Sequence, residues 1–248
     1  MVSRGVFRVW RAAYRRVVRT TFATVPRYRY QWATEGRSDP TLVPGRTGVH
    51  GGAVHPDDAE RAAVDLVPLA GGPAEPDPAR GLGPVLGRLP AGTLVLVVGG
   101  AAPTDLPERV RGRAVDPDAA PNVLAAAVDG TGPVLAVGTD EDLDRLAGAL
   151  PAPAADRLRR RPLRTLDRLD GGPYGLIHDR MLGYLGAFGG CGRWHLDWPR
   201  VYARETDGGL AITLLRQRSP RLVDVLVGGG VRGRVEPCPR HGTPVVYT

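Results

Sequence analysis

Two short apolar runs constrain this chain's fold more than any other feature. They are Thr93–Val98 (TLVLVV) and Pro133–Val137 (PVLAV). Each is too short for a helix, rich in β-branched residues and followed by glycine, Gly99-Gly100 in one case and Gly138 in the other. A continuous apolar run of that length fits a strand buried on both faces, as in a parallel sheet. Helical patterns at 119–128 and in DEDLDRLAGAL, which ends before Pro151, accompany the strands. Thr139 followed three residues later by Asp142 approximates a capping box with Asp in place of Glu. Strand, helix, strand, helix in close succession predicts an α/β fold with a small doubly wound parallel-sheet core.

Around this core the pattern changes. Residues 1–34 read as a basic amphipathic arm, 35–84 as a loop-rich region with short elements, 85–151 as the α/β core and 152–248 as a C-terminal α+β section. With 34 Gly and 24 Pro in 248 residues, short elements joined by turns are expected. The local pattern predicts a helix at 57–63 capped by Asp57, a strand at 64–69 and a helix at 104–111. It predicts a further helix at 152–169, broken at Pro162, with Arg159–Arg161 as a solvated face. Strands are expected at 201–204, 210–216, 231–236 and 244–247.

The net charge of +7 belongs to one end. Arg4, Arg8, Arg11, Arg15, Arg16, Arg19, Arg27 and Arg29 precede the first acid, Glu35, whereas the remaining 25 arginines face 26 acids. Residues 5–24 have helical periodicity, with Arg4, Arg8, Arg11, Arg15 and Arg19 on one face and Phe7, Trp10, Tyr14, Val17 and Val18 on another. The following RYRYQW alternates Arg with aromatics, as a short strand or an extended arm would. Arginine stripes neutralise phosphates without reading sequence. Trp10, Tyr14, Tyr28, Tyr30 and Trp32 are candidates for stacking on bases. The same helix suits an anionic membrane surface, resembles an organelle presequence, or packs its aromatic face on the body with its arginines solvated or against an acidic protein surface.

There is no lysine in the sequence. That excludes Schiff-base chemistry, the P-loop lysine, the protein-kinase β3 lysine and S-x-x-K hydrolase chemistry from these residues. Two cysteines do not make a disulfide scaffold. No apolar run approaches membrane-spanning length, and arginines interrupt any secretory signal, so a cytoplasmic location is expected.

Each cysteine is followed closely by a histidine: Cys191-Gly-Arg-Trp-His195 and Cys238-Pro-Arg-His241. Two thiolates and two imidazoles make a tetrahedral zinc shell if the pairs meet, although 42 residues separate His195 from Cys238. The second pair resembles one half of a Rieske iron–sulfur motif, but the C-x-H half is absent. His178, Asp179, Asp197 and Trp198 lie nearby in sequence, so an acid–base site is a further candidate. The glycine-rich turns after the two apolar runs are candidate phosphate loops, though neither matches G-x-G-x-x-G.

Two functions follow as expectations. The first is a binding or assembly protein, part of a larger complex, that engages an anionic partner through its arginine helix, nucleic acid first among the candidates. The second is a small-molecule enzyme with a Cys/His site, zinc being the candidate cofactor.

Overall fold

The computed structural model describes residues 2–34, 53–128, 130–169, 174–228 and 230–248. Residues 35–52 of the expected loop-rich region, Gly171-Gly172 and Gly229 lie outside the described residues, as does the side chain of Arg4. The chain is of mixed α/β class, with β-sheet and helices. It divides into two compact units that interleave in sequence. Unit 1 comprises Met1–Asp77, Leu166–Leu169 and Gly189–Thr248, and unit 2 comprises Pro78–Thr165 and Asp170–Phe188.

In unit 2 the apolar runs become β1 (Leu94–Val98) and β3 (Val134–Gly138), paired in parallel. β2 (Arg111–Val115) lies parallel on the other side of β1, and β4 (Leu158–Arg164) lies parallel on the other side of β3. β5 (Leu176–Asp179) pairs in parallel with β4, and β6 (Gly183–Gly189) is antiparallel to β5. Strand alternation explains why both faces of β1 and β3 are apolar. Leu94, Leu96, Val98, Val134 and Ala136 pack with Leu124 of α5 (Pro121–Ala127) and with Leu143 and Leu146 of α6 (Asp140–Ala149). Val95, Val97, Leu135 and Val137 pack with Leu82 of α4 (Leu82–Leu86), Val110, Leu176 and Tyr184.

The cap of α6 is as its sequence implies. Thr139 Oγ1 accepts from the Asp142 amide at 3.1 Å and donates to Asp142 Oδ2 at 2.7 Å. Such a cap contributes about 1 kcal/mol. The first turn of α6 is crowded by Asp140, Glu141 and Asp142, so a phosphate at the Gly138-Thr139 turn would meet three carboxylates.

Several element expectations also change in unit 2. Residues 152–169 are not one helix: α7 (Ala152–Ala155) is a single turn, and β4 follows. Pro162 is tolerated in that strand because β4 pairs with β5 only at Leu163 and Arg164, so its missing N–H costs no ladder bond to β5. The 104–111 segment is not helical, and β2 begins at Arg111. Pro107 lies within it, and a proline in a helix interior removes a hydrogen bond.

Unit 1 begins with α1 (Val2–Thr24) and α2 (Pro26–Thr34). RYRYQW is therefore helical, neither strand nor extended arm. Pro26 starts α2 with a preset φ, and Tyr28 and Trp32, four residues apart, bury one face while Tyr30 stays exposed. α3 (Pro56–Arg61) is capped by His55 rather than Asp57. Residues Ala63–Leu66 form a 3₁₀ turn in place of the expected strand. α1 packs on an antiparallel sheet of β8 (Val201–Thr206), β9 (Gly209–Leu214) and β10 (Val225–Leu226). A second antiparallel group comprises β11 (Arg234–Pro237), β12 (Pro244–Tyr247) and β7 (Arg193–Leu196).

The docking of α1 is specific. Trp10 Nε1 donates to the Val201 carbonyl at 2.7 Å, and the Tyr14 ring stacks on Tyr202 at 4.1 Å. The Tyr14 hydroxyl donates to Asp224 Oδ2 at 2.8 Å. Asp224 is fully buried and also receives Arg204 through Nε and Nη2, and Thr213 through Oγ1. A buried carboxylate is tolerable only with such a full set of donors. Burial first, then the Asp224 charge, holds the Tyr14 phenol well above its ordinary pKa, so it stays a donor.

Candidate metal centre

The second knuckle is built by a tight turn. β11 ends at Pro237, and Cys238, Pro239, Arg240, His241, Gly242 and Thr243 lead into β12. The Cys238 amide donates to the Thr243 carbonyl at 2.8 Å, and the Gly242 amide donates back to the Cys238 carbonyl at 2.7 Å. Gly242 has φ +68°, in the left-handed region that favours glycine. The first knuckle is the turn before β7, where the Gly192 amide donates to the Gly189 carbonyl at 3.0 Å. Gly189 has a different constraint: a Cβ there would lie 2.7 Å from Cδ2 of His195.

β-pairing brings the two knuckles together. β12 lies antiparallel to β7 with Val245 opposite His195 and Val246 opposite Trp194. That register sets the turn before β12 against the Cys191–His195 segment, across 42 intervening residues. On β7, Trp194 and Leu196 are buried, which leaves Arg193 and His195 on the other face. Trp194 is fixed by donating its indole N–H to the Leu169 carbonyl.

Cys191, His195, Cys238 and His241 converge, with one ligand atom from each lying within 4.8 Å of all the others. The two sulfurs are 3.8 Å apart, Cys191 Sγ is 3.0 Å from His195 Nε2, and Cys238 Sγ is 3.5 Å from His241 Nδ1. Both cysteines are free thiols. A tetrahedral shell with Zn–S near 2.3 Å and Zn–N near 2.0 Å requires S···S of about 3.8 Å and S···N of about 3.5 Å. Two of the three distances therefore already match, and the third needs to open by about half an ångström. The group can hold a metal ion.

Surrounding groups prepare the ligands. His195 Nδ1 lies 2.9 Å from Thr243 Oγ1, and this bond leaves Nε2 as the nitrogen facing the sulfurs. That is the usual arrangement by which an outer partner orients a metal-bound imidazole. Burial, then the neighbouring His241 and Arg193, lowers the His195 pKa and favours the neutral ligand form. For Cys238, burial pushes the thiol up. The backbone N–H groups of His241 and Arg240, the Cys191 side chain and the Arg193 charge outweigh that and hold it below the ordinary cysteine value. Amides aimed at a sulfur favour the thiolate, the form that binds metal.

The remaining sequence candidates serve locally. His178, in unit 2, rests against the Tyr184 ring and meets the Pro78 carbonyl at 3.3 Å. Asp179 accepts from the amides of Met181 and Leu182, and Asp197 pairs with Arg200 at 3.0 Å. None of the three belongs to the Cys/His cluster.

The arm residues divide into two groups. Trp10, Tyr14, Tyr28 and Trp32 are buried in unit 1, and of the five aromatic residues only Tyr30 is exposed, at 74%. This departs from the expectation that all five rings are presented for stacking, because four of them anchor α1 and α2. Insertion of Trp10 and Val17 into a membrane surface meets the same obstacle. Arg8, Arg11, Arg15, Arg16 and Arg19 are exposed, and none is ion-paired with a described residue. Arg27 lies 3.7 Å from Asp65, and Arg29 folds back onto the Phe22 ring and the Phe22 and Ala23 carbonyls. Among the described residues no helix is long and apolar enough to cross a membrane.

Sequence reasoning missed Thr243, which orients His195, and marked Gly189 only as a glycine flanking the first knuckle, not as the residue that makes room for His195. Thr243 directly follows the Cys238–Gly242 turn, and a hydroxyl placed next to a knuckle glycine was the available signal. The chain matches no protein-family model and no curated protein sequence.

Proposed function

We propose that Cys191, His195, Cys238 and His241 hold one zinc ion, and that this ion is structural. The observation that carries the reading is the convergence of two sulfurs and two imidazole nitrogens from turns distant in sequence. Four protein donors fill a tetrahedral shell, whereas a hydrolytic zinc keeps one position for water or substrate. Among the described residues no carboxylate belongs to the cluster to act as a general base. The donor set therefore favours a metal-stapled binding protein over the small-molecule enzyme. Metal analysis of the purified protein tests it. One equivalent of zinc is expected, with loss in Cys238→Ser, and cobalt substitution should give the visible bands of a tetrahedral thiolate site. Less than a tenth of an equivalent of metal rejects the reading.

A second reading concerns what the protein binds. Five α1 arginines stand exposed and are not ion-paired with any described residue, which favours an anionic partner, nucleic acid first. Because α1 is docked through Trp10 and Tyr14, charge variants test this better than deletion. Affinity for a single-stranded oligonucleotide should fall steeply with salt, and Arg8→Glu/Arg11→Glu/Arg15→Glu should lower it at least tenfold. Salt-insensitive binding would point instead to an acidic protein surface or a larger assembly.

A further inference from the structure

Unit 1 contains a second built feature, on the flank of α1 that bears Arg16. A cleft of about 550 Å³ lies between α1 and the segments around Trp198 and Leu215–Arg221. That volume suits a small organic ligand. Its lining includes three arginines, Arg16, Arg216 and Arg221. Among the described lining residues none is acidic, and none of these three arginines is ion-paired with a described residue. Arg221 is the most informative. Its Nε is buried without a hydrogen-bond partner, while its Nη1 donates to the Gln217 carbonyl at 2.7 Å. Burial and the nearby Arg218 both act against its charge, a cost that a bound anion would relieve.

Apart from Thr20, the rest of the lining is apolar. Val9, Trp10, Val17, Trp198, Pro199 and Leu215 supply it, and the Trp198 ring is half-buried rather than packed away. Three arginines and a half-buried tryptophan lining one cleft match a ligand that carries both a phosphate and a flat ring system. Inorganic phosphate would leave the apolar wall wet, and a purely apolar ligand would bury the arginine charges without compensation.

We infer that this cleft seats one nucleotide unit, its phosphate held among Arg16, Arg216 and Arg221 and its base against Trp198. The unit is either a free mononucleotide or one residue of a single strand lying along α1. Only the latter rests on the nucleic-acid reading above.

The test uses the full-length, metal-loaded protein with three probes: AMP, inorganic phosphate, and a fluorescein-labelled twelve-residue oligodeoxyadenosine. Arg216→Glu changes an exposed residue and should leave the fold intact, and circular dichroism checks this for every variant. AMP should bind saturably and more tightly than phosphate, and Arg216→Glu should weaken it at least tenfold. Trp198→Ala should weaken AMP about tenfold while leaving phosphate unchanged, as loss of one stacking contact implies. Arg8→Glu/Arg11→Glu/Arg15→Glu should leave AMP binding unchanged. If AMP fails to bind but Arg216→Glu and Trp198→Ala each weaken the oligonucleotide, the ligand is a strand. If AMP behaves as stated and the oligonucleotide does not bind, the ligand is a free nucleotide and the nucleic-acid reading fails alone. If Arg216→Glu and Trp198→Ala bind AMP and the oligonucleotide as the wild type does, the inference is overturned. It is likewise overturned, together with the nucleic-acid reading, if neither ligand binds the wild type.

Discussion

The parallel strands of unit 2 and the Cys/His turns of unit 1 are both β-structures, but they are held by different forces. Every residue of β1 and of β3 is buried, and helices cover both faces. β7, β11 and β12 are four residues each, and β11 has no fully buried residue. Apolar burial at about 25 cal/mol per Å² is ample for the first region and scarce for the second. A metal ion supplies what a small core cannot, because its binding free energy adds directly to folding. The comparison teaches that the chain places a Cys/His cluster able to hold a metal ion among short strands with little buried apolar surface.

Removing the metal should break the symmetry between the two regions most strongly. With a chelator, hydrogen exchange of the β7, β11 and β12 amides should speed up by at least a hundredfold, while β1 and β3 keep their protection. Equal loss in both regions would contradict the division. Next in size is Asp224→Ala, which strands Arg204 in the interior of unit 1. It should cost about 3–5 kcal/mol in denaturant unfolding and, unlike chelation, leave zinc stoichiometry unchanged. Thr243→Val removes the partner of His195 Nδ1 and should weaken zinc binding about 10–100-fold in a competition titration, without touching unit 2. Thr139→Ala does the reverse: about 1 kcal/mol lost from unit 2, with no change in metal affinity.

The smallest effect is a pH dependence in unit 2. Burial, offset in part by the Pro78 carbonyl and Asp179, lowers the His178 pKa. With the folded pKa depressed, the unfolded chain takes up the proton first. Stability should therefore fall as pH drops below the ordinary imidazole pKa of about 6.5. His178→Gln should flatten that part of the profile in thermal unfolding from pH 7 to 5.

The two regions also differ in how much of them was legible in sequence. β1 and β3 could be read because a strand buried on both faces is continuously apolar, a purely local signal. The α6 cap was legible for the same reason, since Thr139 and Asp142 meet within one turn. β4 was misread as helix because its arginines hide the strand period, and its parallel partner β3 is a long-range fact. α2 was misread because Arg/aromatic alternation mimics period two, whereas the buried pair Tyr28 and Trp32 obeys the helical period. The four ligands could be named from residue type and spacing. Their meeting could not, because it depends on the β7–β12 register. The aromatic residues of the arm looked like stacking groups because a sequence does not show that Tyr202, Val201 and Asp224 occupy their faces and polar ends.

X-ray absorption of the metal-loaded protein tests the metal centre most directly. The expected spectrum fits a zinc ion with two sulfurs at about 2.3 Å and two nitrogens at about 2.0 Å. A shell of nitrogen and oxygen alone, or purified protein that retains no metal, would contradict the assignment of Cys191, His195, Cys238 and His241 as its ligands.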